Sequence, residues 1–237
     1  MKAMDGKVDK ILMPSIEMDP MLVMTHWTRR SVAERIEEQK RYWYPRLYEG
    51  STQTYTDVFP EHIDEEQYPG PNFWSQVDLT SSTKSRIEKF REQRREIVIN
   101  HLGVSEDIIE FKEHHLCHSN YAYFASPYRN EKVLSFTADG FGDYYCATIR
   151  LFNEEGNSEV LMQSSDAFLG RLYRYVTLSL GMKPLEDEYK VMGLAPYATE
   201  YHWRKPYEIF KELLEVDGIN LRLMNKPDDF YYFYKDK

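Results

Sequence analysis

A chain of 237 residues, 42% hydrophobic and carrying a formal net charge of -9, is long enough to bury one α/β core. Its 30 basic residues are outnumbered by 39 acidic ones, which argues against an electrostatically driven nucleic-acid surface. Cys117 and Cys146 are too few for a disulfide scaffold, the opening Met1 to Lys10 is polar, and no apolar stretch of about 18 residues occurs, so a cytoplasmic protein without membrane spans is expected.

Residues 8 to 14 are apolar enough for a short buried strand, with no earlier strand to pair with. Ser31-Val-Ala-Glu34 has the capping-box pattern and predicts a helix to about Arg46, which Pro45 kinks or ends. Residues 48 to 79 mix Gly, Pro and Asn with aromatics such as Tyr55, Phe59, Tyr68, Phe73 and Trp74. That composition predicts an ordered covering loop, serving either as surface padding or as a substrate lid. Helical spacing returns from Ser82 to Leu102, with Ile87, Phe90, Ile97 and Ile99 among charges and Gly103 as the stop.

A strand over residues 108–112 feeds a helix over 113–125, and residues 132–138 alternate as the next strand. Residues 144–152 and 158–164 read as a hairpin closed by Glu154-Glu-Gly-Asn157. Three helices follow, over residues 169–182, 186–192 and 201–214, the last ending before Gly218. The tail run Phe230-Tyr-Tyr-Phe-Tyr234 looks exposed, as the edge of a larger domain would be.

Three segments carry chemistry. In Glu113-His-His-Leu-Cys-His118 a helix would stack His114 and His118 on one face at i,i+4, within reach of one cation, while His115 and Cys117 turn into packing. Asp139 would reach the same place from a strand tip facing a Gly140-Phe-Gly142 turn, and two imidazoles with a carboxylate suit a borderline divalent metal. The spacing also fits a polar helix start with hydrogen-bonded histidines, since such a pair arises often by accident. A zinc metalloprotease is excluded because His115 and Leu116 occupy the interior of the pair, where a catalytic glutamate is needed. Gly140 and Gly142 would let backbone N–H groups approach phosphate, although a Gly-x-Gly also simply turns a hairpin. The third segment, residues 168–197, delivers Gly170, Lys190 and Gly193, or else only a charged helix face.

Taken in order, these segments resemble the N-terminal domain of nodulation-type and antibiotic-pathway O-carbamoyltransferases. The resemblance rests on His114-His-Leu-Cys-His118 before Ser126-Pro-Tyr128, on Asp139-Gly-Phe-Gly142, on Phe168-Leu-Gly-Arg-Leu-Tyr173, and on Glu188 to Tyr197. It is specific over residues 114–197. It implies an α/β fold of the actin, sugar-kinase and Hsp70 type (ribonuclease H-like), with a mixed sheet flanked by helices. Its implied chemistry is transfer of a carbamoyl group to a hydroxyl on a small-molecule acceptor. The carbamoyl-adenylate donor would be made from carbamoyl phosphate and ATP in a separate C-terminal domain. By residue-to-residue carry-over, His114, His118 and Asp139 would hold an iron-like divalent metal. Gly140 and Gly142 would lie near phosphate, and Gly170, Lys190 and Gly193 near the nucleotide.

The chain departs from that pattern at Asp143, where the family has glutamate, and at Ala198, where it has glycine. Neither the Gly-His strand nor the Glu-Glu-Arg segment of the family precedes Val8. The expected base on the acceptor hydroxyl therefore lies upstream, and a further carboxylate ligand and the adenylate-forming domain beyond Lys237. Residues 1–237 are accordingly expected to form a partial N-terminal domain carrying the metal and nucleotide part of the site, or a non-catalytic subunit completed by a companion chain. A kinase of the same fold is disfavoured because it has no use for the histidine pair.

Overall fold

The computed structural model describes residues 8–20, 30–62, 81–224, 227 and 229–236. Strand β1 (Ile11–Pro14) opens the chain. Helix α1 (Val32–Glu38) starts at the expected capping box, with the Ser31 side chain accepting from the Glu34 N–H and the Glu34 carboxylate accepting in return, a device worth about 1 kcal/mol. It runs through a π-helical turn, Gln39–Trp43, into α2 (Tyr44–Tyr48). Pro45 lies directly after the π-helical turn, and the chain stays helical past it to Tyr48. Behind α1 the Glu38 carboxylate is buried, pairs with Arg30 at 2.8 Å and accepts from Trp43 at 3.0 Å.

A second capping box at Thr54 opens α3 (Tyr55–Val58). Tyr55 and Phe59 are 0% and 2% exposed, so this part of the aromatic-rich segment belongs to the core and does not lie over it. Tyr68, Phe73 and Trp74, on which the covering-loop expectation also rests, lie outside the described residues. Helix α4 (Thr83–Leu102) begins at Ser82 and stops at Gly103, whose φ of 65° is the left-handed cap. Of its expected apolar stripe, Ile87 and Phe90 are buried, whereas Ile97 faces solvent.

Strand β2 (Ile109–Lys112) gives β1 the partner that the sequence seemed to deny it, in parallel register from Ile11 opposite Ile109 to Pro14 opposite Lys112. Helix α5 (His114–Phe124) follows at once, capped by Glu113, whose carboxylate accepts from the N–H groups of His115 and Leu116. Strands β3 (Val133–Gly142), β4 (Tyr145–Phe152) and β5 (Ser158–Ser164) form an antiparallel sheet in the order β3-β4-β5. Tyr123 of α5 lies flat on Phe152 of β4, centroids 4.4 Å apart, and locks α5 to this sheet.

The rest is helical apart from one hairpin. Helix α6 (Leu169–Ser179) packs on β3, α7 (Glu188–Leu194) adjoins α6, and α8 (Glu200–Phe210) follows. Residues 211–214, expected to extend α8, instead lead into β6 (Leu214–Asp217), which pairs with β7 (Asn220–Leu223) around Gly218 at φ 60°. The alternating Leu214-Glu-Val-Asp217 and Asn220-Leu-Arg-Leu223 carried that strand signal. Correcting the exposed-tail expectation, helix α9 (Phe230–Asp236) buries Phe230 and Tyr231. Phe230 joins Cys146, Phe168, Leu172 and Leu213 in one buried apolar cluster. The described fold is thus mixed α/β, and no described helix is long and apolar enough to cross a membrane.

Candidate metal and ligand site

The β3–β4 hairpin assembles the site. Sequence spacing suggests a turn at Gly140-Phe-Gly142; in the structure those residues still belong to β3, and the pairing breaks between Ala138 and Gly142. The tight turn is Asp143-Tyr144, both with positive φ (46° and 76°), the pattern of a two-residue hairpin. Asp139 therefore sits in a bulge on the strand, a device that re-aims a side chain. Its side chain meets the first turn of α5.

There His114 Nε2 lies 2.7 Å from Asp139 Oδ2, His118 Nε2 lies 3.3 Å from the same oxygen, and the two imidazole nitrogens are 3.0 Å apart. Among the described residues these three alone group as possible ligands to one ion. The separations match the edges of a coordination shell, since ligands about 2.1 Å from a common ion at right angles are about 3 Å apart. Bonding to Asp139 raises the pKa of His114 above the usual imidazole value, against the opposing effect of burial. The Asp139 carboxyl is held well below the ordinary range, first by His114 and further by the Gly140 N–H. Ser15 Oγ is 3.1 Å from His114 Nδ1. A neutral His114 donating from Nδ1 to Ser15 would leave its Nε2 lone pair facing Asp139 and His118, the tautomer a metal requires.

Asp143 holds this arrangement together, a role with no spacing signal in the sequence. It is buried, and its carboxylate accepts from the N–H groups of Ile16, Glu17 and His114, each at 2.8 Å. One side chain thus ties the exit of β1 and the start of α5 to the hairpin turn. His115, as expected, is a packing residue with 0% exposure. Its Nε2 lies 2.9 Å from the Tyr145 carbonyl and its Nδ1 2.8 Å from Thr137 Oγ1, so the proton belongs on Nε2. Burial pushes its pKa down and keeps it neutral.

The glycines sort differently. A Cβ on Gly142 would lie 2.1 Å from His114 Cδ2, and one on Gly170 would lie 2.7 Å from the Gly140 nitrogen, so both positions are required by protein packing. Gly140 and Gly193 have nothing within 4 Å of a built Cβ. A cavity of about 480 Å³ is lined by Ser15, His114, Asp139 and Gly140 to Asp143, by Gly170, Arg171 and Arg174 of α6, and by Glu17, Leu185 and Glu188. The structure therefore brings His114, His118, Asp139, Gly140, Gly142 and Gly170 together. Lys190 and Gly193, on α7, do not line this cavity; Lys190 pairs with Asp187 at 2.7 Å.

A family model described as the carbamoyltransferase N-terminus matches residues 29–226. Nodulation protein NolNO of Sinorhizobium fredii is 37% identical over 116 residues, 48% of this chain and 16% of its own length. Nodulation protein NolO of Bradyrhizobium diazoefficiens is 32% identical over 110 residues, covering 46% and 20%. An uncharacterized protein of Methanocaldococcus jannaschii, MJ1058, is 32% identical over 147 residues, covering 54% and 24%. The matched part of this chain thus spans about a quarter or less of these relatives' length.

Proposed function

The chain belongs to the carbamoyltransferase family through that N-terminal match, and from this premise we propose that it carries the metal and nucleotide part of a carbamoyl-transfer site. The reaction is transfer of the carbamoyl group from carbamoyl-adenylate, formed from carbamoyl phosphate and ATP, to the hydroxyl of a small-molecule acceptor in the cytoplasm. The observation that carries the reading is the convergence of His114 Nε2, His118 Nε2 and Asp139 Oδ2, from two elements, within 3.3 Å of one another beside a cavity. These three side chains hold a divalent ion, iron by family resemblance. Once bound, that ion would supply Lewis-acid polarisation.

The protein groups do the positioning. Ser15 fixes the His114 ring, Asp143 fixes its backbone, and the Asp139 bulge aims the carboxylate. Gly140 and Gly142 form the phosphate side of the cavity and Gly170 its nucleotide side, while Lys190 and Gly193, on α7 outside the cavity lining, would meet the nucleotide beyond it. The mixed α/β composition, with a parallel strand pair and a three-stranded antiparallel sheet packed by α5 and α6, is compatible with the actin, sugar-kinase and Hsp70 type of fold. Metal analysis tests the reading. The purified chain should take up a divalent ion that the variants H114A and D139A lose, and absence of uptake with all three ligands intact would sink it.

A second reading is a non-catalytic subunit completed by another chain. It is favoured by α8, which buries none of its residues and leaves Tyr201 85% exposed. Co-purification with a companion protein of the same family would support it, and a stable, monodisperse chain alone would count against it.

A further inference from the structure

Arg171 and Arg174 stand three residues apart on α6, close enough to share one face of the helix, and both line the cavity that holds His114 and Asp139. Ring contacts hold both guanidinium groups. Arg171 lies 5.0 Å from the Phe141 centroid and 4.9 Å from that of Phe168, and Arg174 lies 5.7 Å from that of Tyr175. Stacking leaves the N–H donors of a guanidinium unused. Among the described residues, neither arginine makes a hydrogen bond or an ion pair with the protein. Burial, with the like charge of Arg174 as a minor contributor, pushes the Arg171 pKa down, as expected for a desolvated cation without a counter-ion.

The other charged groups around the cavity are already engaged. Asp143 accepts three backbone N–H groups, and Asp139 accepts from Gly140 and faces His114. Glu17 accepts from the Tyr144 hydroxyl at 3.2 Å, and Glu188 from the Leu185 N–H at 2.7 Å. The two arginines are thus the lining groups with donors to spare. A desolvated guanidinium with a second one beside it, both facing one cavity, is costly unless an anion joins them, and paired guanidinium donors suit the oxygens of phosphate and carboxylate.

We propose that Arg171 and Arg174 form an anion-recognition wall of this cavity, binding a phosphate or carboxylate group of the ligand through their free guanidinium donors. This deepens the carbamoyl-transfer reading, on whose cavity it rests. The anion belongs either to the phosphate of the donor or to an acidic substituent on the hydroxyl acceptor.

Calorimetric titration of the metal-stripped chain with inorganic phosphate tests the wall without any contribution from a bound ion. The double variant R171Q/R174Q should bind phosphate about tenfold more weakly or worse, as loss of charge-assisted hydrogen bonds requires. R171K/R174K keeps the charges without the planar fork and should fall between, which separates a lost donor from a lost fold. Titration with AMP, and with glucuronate against glucose, separates the sources. A tenfold loss confined to AMP assigns the wall to the donor phosphate, and one confined to glucuronate assigns it to an acidic acceptor. Equal phosphate affinity in the wild type and the double glutamine variant, or no measurable phosphate binding to the wild type, would overturn the proposal. Divalent-metal uptake by R171Q/R174Q should match wild type. Failure of uptake in the wild type itself would instead remove the carbamoyl-transfer reading and leave the phosphate result to be judged separately.

Discussion

Replacing Gly142 with alanine attacks the metal site without removing a ligand. The added Cβ would lie 2.1 Å from Cδ2 and 2.3 Å from Cγ of His114, roughly 1.4 Å inside an ordinary carbon–carbon contact of about 3.5 Å. Retreat is restricted, because Asp143 holds the His114 backbone and Ser15 holds its Nδ1. The ring must therefore swing, carrying Nε2 away from Asp139 and His118 by about 1 Å, several times the roughly 0.2 Å tolerance of a metal–ligand bond. Perturbing a ligand's supporting shell costs about 10–100-fold in affinity, so displacing the ligand itself should cost about 100-fold or more. The overpacking should also destabilise the fold by about 1–3 kcal/mol. G140A is the matched control, since a Cβ there meets nothing within 4 Å. Cobalt(II) titration of the metal-stripped wild type, G142A and G140A, with urea melts of each, reads both effects. Wild-type cobalt affinity in G142A, or an equal loss in G140A, would refute the packing argument.

Four further substitutions separate structural from ligand roles. H118A removes a half-exposed ring; urea melts should shift by no more than about 0.5 kcal/mol, while metal uptake is abolished. H115A should do the reverse, because it leaves Thr137 and the Tyr145 carbonyl without their buried partner. A loss of about 2–4 kcal/mol is expected in urea melts, with metal still bound by the folded fraction. D143N keeps the size but loses an acceptor oxygen among the three N–H groups it serves. It should lose about 2–3 kcal/mol in urea melts and about tenfold or more in cobalt affinity. F230A should cost about 3–5 kcal/mol in the same melts, because Phe230 is 7% exposed within a buried apolar cluster.

Much of this arrangement was legible in the sequence wherever a local rule governs. The Ser31 capping box, the Gly103 stop and the 144–152/158–164 hairpin all depend on residues close in the chain, and each stands where its pattern placed it. The i,i+4 histidines share a helix face by a local rule, whereas Asp139 reaches them from 25 residues away through a bulge inside β3. What failed was long-range or conformational. The parallel partner of β1 lies about a hundred residues away, and nothing near the aromatic tail in sequence announces the cluster that buries it. The turn at Asp143-Tyr144 was misplaced onto Gly140-Phe-Gly142 because glycine is the usual marker of positive φ, whereas here two non-glycine residues adopt it.

The position of the turn explains why the site works as a unit. With the turn shifted to Asp143, the aspartate becomes the junction of three segments and Gly142 becomes the floor on which the His114 ring rests. The bulge between Ala138 and Gly142 then turns Asp139 toward the histidines, while Gly170 of α6 seats against Gly140 and sets Arg171 over Phe141. The hairpin tip is thus the common support of the metal ligands on one side and the free guanidinium groups on the other. A substitution that moves the tip, as D143N should, would disturb cation binding and anion binding together. Replacing Arg171 and Arg174 on α6, which leaves the Gly170 contact in place, should disturb only the anion.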